Sequence, residues 1–490
     1  MKTFEAIITP IFIFLLMVSA CGREIEPVGP VPTQDQINLQ DMEMYAFLHY
    51  SLNTYTDQEW GYGNEDPSLF DPARLDARQW ARTCKEAGMK GIIFTAKHHC
   101  GFCMWPSAYT DYSVKASPWK DGQGDVVREL ADACKEYGLR FAVYLSPWDR
   151  NHPEYGREAY VEYFRNQLRE LLTDYGDIFE VWFDGANGGS GWYGGADETR
   201  TIDRLTYYQW EGTYGMIREL QPHCVIWNDG ADRRGDLRWV GTEAGFVGGT
   251  NWSLLNSEGD VPYTSLHYGL EDGDVWVPGE TNTSIRPGWF YHESEDGQVK
   301  SLSTLMETYY KSVGRNSTLL LNFPVNKDGL IPQEDSLRGV EFNRMIHEIF
   351  DHPLNAKGSS GRNSGSRRAA FSASRDRMSY VIDFKEPTVF NRLMVREDIT
   401  KGQRVKAFRI EALVDGSWQE MQDSISEEPE RSMTTIGRKR ILCFPDTRAT
   451  QIRVTILDTR AGKDEAASKP VITDVSAYFA PPVNDSSYIR

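Results

Sequence analysis

Cysteine is scarce, at seven in 490 residues. With Cys21 set aside, Cys84, Cys100, Cys103, Cys134, Cys224 and Cys443 are too few for a disulfide scaffold. Cys84 and Cys134 occupy similar places on expected helices and read as buried core residues. Positive charge is also in deficit: 53 Lys and Arg against 71 Asp and Glu leave a net charge of −18. That balance argues against a nucleic-acid surface. No glycine-rich phosphate motif follows the first strand, which counts against a nucleotide-binding α/β fold. The apolar run "IITPIFIFLLMVSA" is too short, and too soon followed by polar residues, for a membrane-spanning helix. Hydrophobic content of 40% and charged content of 25% are those of a globular chain. Aromatics are plentiful, with 14 Trp and 24 Tyr. Their faces suit the apolar faces of sugars, although large cores use them too.

The apolar run ends in "VSAC", which has the form of a bacterial lipoprotein signal cleaved so that Cys21 is lipidated. An ordinary secretory signal with an incidental cysteine is the alternative. Either way the mature chain is expected outside the cytoplasm, in the periplasm or at the cell surface, touching membrane only through a lipid anchor. Residues 22–39 begin "GREIEPVGPVPTQDQ" and read as a Pro-rich flexible tether.

From residue 40 to 352 short apolar strands alternate with amphipathic helices. "YAFLHYSL", "GIIFTAKHH", "RFAVYLSP", "IFEVWFDGA", "CVIWND", "LRWVGTEAG", "VWVPGET" and "TLLLNFPV" are the strand candidates. Helices such as "DVVRELADACKEYG" lie between them and end in glycine at Gly88, Gly138 and Gly176. The pattern predicts an α/β (β/α)8-like TIM-type barrel, with a doubly wound sheet as the alternative. A Gly/Ser/Asn-rich break follows. From 353 to 490 short alternating strands with almost no helix pattern predict an all-β sandwich.

Catalytic groups of such barrels stand at the C-terminal ends of the strands. Those ends carry His49, His98 and His99, Tyr144 with Trp148, Asp184, Asn228 with Asp229, Glu243, and Glu280 followed by Arg286 and Trp289. "KHHCGFC" has zinc-ligand types, but a closed zinc site needs a second well-spaced pair and none exists. Adjacent strand residues also face opposite ways. A redox Cys-x-x-Cys should open a helix, whereas Pro106 and a turn-rich stretch follow here. Cys100 and Cys103 could still form a disulfide in an exported protein, and either histidine alone could be a hydrogen-bonded core residue. Asp184 and Glu243 each close an apolar strand, where a charge is costly unless paired or catalytic. Two such carboxylates over a mouth lined by His, Trp and Arg suit glycoside hydrolysis. Buried salt-bridge partners are the competing explanation.

"FLHYSLNTYTDQEWGYG", "FTAKHHCGFCMWPSAYTDYSV", "VYLSPWDRNHPEYG", "VWFDGANG", "VIWNDGAD", "RWVGTEAG", "SIRPGWFYH" and "GRNSTLLLNFPVNKDGLI" together resemble the glycoside hydrolase family 29 α-L-fucosidases. The resemblance spans residues 40 to about 350 and looks closest to the subgroup acting on α-1,3- and α-1,4-linked fucose. Residues from about 355 to 485 are similar to the galactose-binding-like β-sandwich that follows the barrel there. The resemblance implies Asp184 as nucleophile and Glu243 as general acid/base. It implies His49, His98 and His99 as ligands of fucose hydroxyls. Glu59 and Trp60 would be a polar contact and an aromatic wall, and Tyr144, Arg286 and Trp289 further pocket positions. It implies fucosylated oligosaccharides or glycoconjugates as partners, with no cofactor and no metal. The chain departs from the family at Cys100, where "KHHDGF" is common, which bears on what supports the histidines. The acid/base position shifts within the family, and Glu280 is the fallback. If both histidines serve one pocket, the chain must leave strand geometry after Lys97, which Gly101 would permit. A different fucoside specificity and an inactive surface glycan-binding lipoprotein are the rival functions.

Overall fold

A computed structural model describes residues 26–185, 188–228, 235–259, 261–355, 371–462, 468–483 and 485. Cys21 and Asp229 lie outside the described residues. Eight parallel strands form the first domain: β1 Met44–Leu48, β2 Gly91–Lys97, β3 Arg140–Leu145, β4 Ile178–Phe183, β5 Val225–Asn228, β6 Arg238–Trp239, β7 Gly279–Ser284 and β8 Thr318–Asn322. They neighbour one another in the order β5-β4-β3-β2-β1-β8-β7-β6. One parallel bridge between Trp227 and Leu237 joins the two edges, so the sheet all but closes into a barrel. β1, β2 and β4 are buried throughout, as strands covered on both faces must be.

Alternation along the strands separates two cores. Tyr45, Phe47, Ile93 and Trp182 fill the barrel interior. Met44, Ala46, Leu48 and Ile92 face the helical layer outside. That layer includes α2 Ala77–Glu86, α3 Val126–Tyr137 and α4 Glu158–Asp174. Asp76 and Asp125 cap α2 and α3 by accepting from Gln79 N at 3.0 Å and Arg128 N at 2.8 Å. Gly138 ends α3 at φ +67°, where a side chain would be strained.

The expected tether is partly built into the fold. Val28 N donates to Lys401 O at 3.0 Å, fastening residues near 28 to the C-terminal domain. Gln34–Met42 form the first helix, α1, opened by a capping box from Thr33 and Gln36. Its Leu39 and Met42 plug the floor of the barrel interior, each contributing about 2 kcal/mol by area burial. "VWVPGET" is not one strand either: β7 starts at Gly279, so Glu280 lies near a strand's beginning.

After 371 the chain is antiparallel. Ser379–Glu397 and Arg440–Thr459 pair along most of their length, and Val405–Val414, Ser417–Met421 and Ile472–Tyr478 extend the sheet. Register shifts at Asp383/Thr388 and Phe390/Arg392 bend the longest strands. These five strands contribute to one core around Ile382, Leu393, Ile410, Ile452 and Val475, with Met421 from the edge.

Candidate active site

The strand β2 stops at Lys97, and His98 O accepts from Gly101 N at 2.9 Å, closing a turn with Gly101 at φ +87°. Strand alternation is broken there, so the His98 and His99 rings lie side by side with centroids 4.1 Å apart. His49, just past β1, has its ring 5.9 Å from His98. The Asn322 amide donates to Ser284 Oγ at 2.9 Å and Trp289 O at 2.8 Å, so its Oδ1, 2.9 Å from His49 Nδ1, accepts from the ring. Ser146 donates to Trp148 O at 2.7 Å and accepts from His99 Nδ1 at 2.7 Å. Both assignments leave Nε2 of His49 and His99 unprotonated. His98 Nδ1 is buried without a partner among the described residues. Burial favours the neutral form of all three imidazoles: His49 and His99 are lowered to about 3, and His98 is lowered by burial together with His99, His49 and Arg150. Three neutral rings offering bare nitrogens are acceptors for hydroxyl groups rather than holders of an anion.

Asp184 follows β4 and accepts from Tyr144 OH at 3.1 Å, with His99 Nε2 at 3.7 Å. Its side chain is 35% exposed. Burial raises its carboxyl to about 6, against the Tyr144 and Gly185 hydrogen bonds that stabilise the charge. Gly185 must be glycine: its φ is +77°, and a Cβ would lie 2.3 Å from His99 Cε1. Tyr144 is fully buried, stacked between His98 and Trp182 at 5.6 Å from each.

Glu243 sits on the loop after β6, and its Oε2 accepts from Trp289 Nε1 at 3.2 Å. Burial raises its pKa, Trp289 opposes the rise, and the Asp184 and Glu59 charges add to it. Glu280 is elsewhere. It is buried inside the barrel, bonded to Trp182 Nε1 at 2.8 Å and to Tyr45 OH, beside Glu180.

Trp60 is 59% exposed and stands edge-on to His99 and Trp148, at 5.3 and 5.8 Å, as a wall of the pocket. Trp289 lies 5.2 Å from His49. The other two positions are held by partners far along the chain. Arg286 is buried and committed to Asp335, bidentate at 2.8–2.9 Å, and to Asp296 at 2.9 Å. These ion pairs fix the guanidinium between Asp335 and Asp296. Glu59 accepts from Trp289 N at 3.0 Å, Phe290 N at 3.1 Å and the His292 ring at 2.7 Å, so it holds the loop carrying Trp289. Cys100 and Cys103 are free buried thiols, not a disulfide. Burial pushes Cys100 up to about 12, and its Sγ lies 3.9 Å from Ser51 Oγ. Ser146 and Asn322, not residue 100, orient the histidines. Ser146 follows β3 and Asn322 ends β8, which are the strand ends where polar residues had to be sought.

The chain matches the α-L-fucosidase family model over residues 32–342. It is 38% identical to Alpha-L-fucosidase 1 of Arabidopsis thaliana over 481 residues, covering 92% of this chain and 88% of the relative. The chain belongs to the α-L-fucosidases of glycoside hydrolase family 29. A solved family 29 member from an unknown rumen bacterium superposes with TM-score 0.88 at 64% identity, covering 94% of this chain and 80% of that one. A Ruminococcus gnavus family 29 fucosidase in complex with fucose superposes with TM-score 0.77 at 29% identity, covering 93% and 96%. The site of this α-L-fucosidase thus brings together three buried neutral histidines, the exposed Trp60 and two carboxyls in different settings.

Proposed function

We propose that the enzyme is a retaining exo-α-L-fucosidase that releases terminal α-1,3- and α-1,4-linked L-fucose. The observation carrying this reading is the contrast between Asp184, gripped by Tyr144 at the pocket floor, and Glu243, reaching over from a loop. In the first step Asp184 attacks the anomeric carbon. The glycosidic C–O bond breaks as Glu243 delivers its proton to the leaving oxygen. In the second, Glu243 takes a proton from water, whose oxygen displaces Asp184 and frees fucose with its configuration retained. His49, His98 and His99 accept from sugar hydroxyls, and Trp60 covers an apolar face of the ring. The linkage preference rests on the sequence resemblance. "VSAC" supports export with a lipid on Cys21 as the anchor.

Hydrolysis of α-1,2-, α-1,3- and α-1,4-fucosylated oligosaccharides followed by NMR tests this. Release of α-fucose first, from the 1,3 and 1,4 compounds, is the expected result. Initial β-fucose would refute retention, and release from the 1,2 compound alone would refute the linkage.

A further inference from the structure

The loop between β6 and β7 carries Glu243, and loop backbone groups need hydrogen-bond partners. Between 249 and 253 four of those hydrogen bonds go to the other domain, while Trp252 N and Ser253 O bond to Tyr268 and Val277 of the barrel domain. Gly249 O accepts from Arg440 Nη1 at 2.6 Å. Asn251 N donates to Thr435 Oγ1 at 2.8 Å, and Asn251 O accepts from Gln403 Nε2 at 2.9 Å. Ser253 N donates to Gln403 Oε1 at 2.9 Å. Gln403, Thr435 and Arg440 are all buried. Further along the loop, Tyr268 OH donates to Glu428 at 2.5 Å, and the Arg431 guanidinium lies 4.2 Å from its ring. Little slack separates this clamp from Glu243. Val247 N donates to Lys311 O at 3.0 Å. Gly245 is wedged so closely that a Cβ would lie 2.8 Å from Thr283 Cγ2.

We propose that the C-terminal β domain is a working part of the active site, with Gln403, Thr435 and Arg440 as positioning residues for Glu243. The inference rests on Glu243 being the acid/base. A proton donor acts only within about 2.6–3.2 Å of its target. A shift of about 1 Å can cost roughly a hundredfold. The barrel supplies the nucleophile, and the β domain holds the acid in reach.

Leaving-group dependence separates this from a merely stabilising role. A sugar hydroxyl leaves poorly and needs the acid, whereas 4-nitrophenolate leaves without it. The experiment measures kcat/KM, which reports the first step, on an α-1,3-fucosylated oligosaccharide and on 4-nitrophenyl α-L-fucoside. Gln403→Ala, Thr435→Val and Arg440→Met are compared with wild type, with Glu243→Ala and with Arg453→Ala, which breaks an ion pair with Glu411 inside the β domain. The clamp variants are expected to lose about tenfold or more on the oligosaccharide and less than about twofold on the aryl fucoside, with Arg453→Ala unchanged on both. Thr435→Val is isosteric and keeps the test open if Arg440→Met does not fold. Equal losses on both substrates, or none, while Glu243→Ala shows the split, would overturn the positioning role alone. If Glu243→Ala itself shows no split, the acid/base assignment falls and the inference with it.

Discussion

Two pairs of carboxyls occupy opposite ends of one barrel, and their fates differ. Asp184 and Glu243 stand at the open end. Glu180 and Glu280 lie fully buried inside, and among the described residues neither Glu180 oxygen has a hydrogen-bond partner other than its carboxyl neighbour. Glu180 and Trp182 lie two apart on β4 and Asp184 follows its end, so one run carries a core carboxyl, an indole and a carboxyl at the barrel mouth. Burial raises both inner glutamates, and the Glu280 charge raises Glu180 further. At the mouth a hydroxyl donor and partial access to solvent keep Asp184 able to ionise. The residue type is shared, but the surroundings bury one pair and leave the other partly open to solvent, as the proposed mechanism requires.

The sharpest way to break the comparison is to exchange the pairs' expected importance. Asp184→Ala should lower kcat about 10⁴-fold or more, with azide restoring turnover as a fucosyl azide of inverted configuration. Glu280→Gln should keep kcat within about threefold of wild type. Steady-state kinetics of both variants decide it, and a silent Asp184→Ala would reverse the roles. Gly185→Ala comes next. Its methyl would strike His99 beside the nucleophile, and kcat/KM should fall about a hundredfold while the fold persists by circular dichroism.

The pH dependence sharpens the contrast. The acid limb of kcat/KM should follow Asp184 near 6, since only its ionised form attacks. Tyr144→Phe removes a donor that stabilises the charge, so the limb should move to higher pH. A limb that stays put or moves down would contradict that hydrogen bond's role. The smallest effect is on stability. Glu280 is raised in the folded state from an ordinary carboxyl near 4.5 to about 7. The folded protein therefore holds a proton that the unfolded chain releases, and stability falls as pH rises through that window. Glu280→Gln has no such proton to lose. Its Tm should exceed wild type by about 1–2 °C at pH 8 and gain nothing at pH 5.

The barrel was legible because its strands are apolar runs buried on both faces. Asp184 stood out as a charge ending one of them. Glu280 looked equivalent only because Pro278 was read inside a strand, whereas a proline has no N–H for the ladder and β7 begins after it. The helix at Gln34–Met42 was missed because "QDQINLQDM" is mostly polar and owes its place to Leu39 and Met42 plugging the barrel. What holds Arg286 and Glu59 was hidden for a different reason. Their partners, Asp335 and the 289–292 loop, come from distant segments that local pattern cannot pair. The dependence of the Glu243 loop on Gln403, Thr435 and Arg440 was equally invisible, because it exists only between domains.

The most direct measurement is to trap the enzyme with a 2-deoxy-2-fluoro-fucosyl fluoride and locate the adduct by peptide mass spectrometry. The account predicts a single fucosyl ester on Asp184, absent from Asp184→Asn. An adduct on any other carboxyl, Glu243 included, would contradict it.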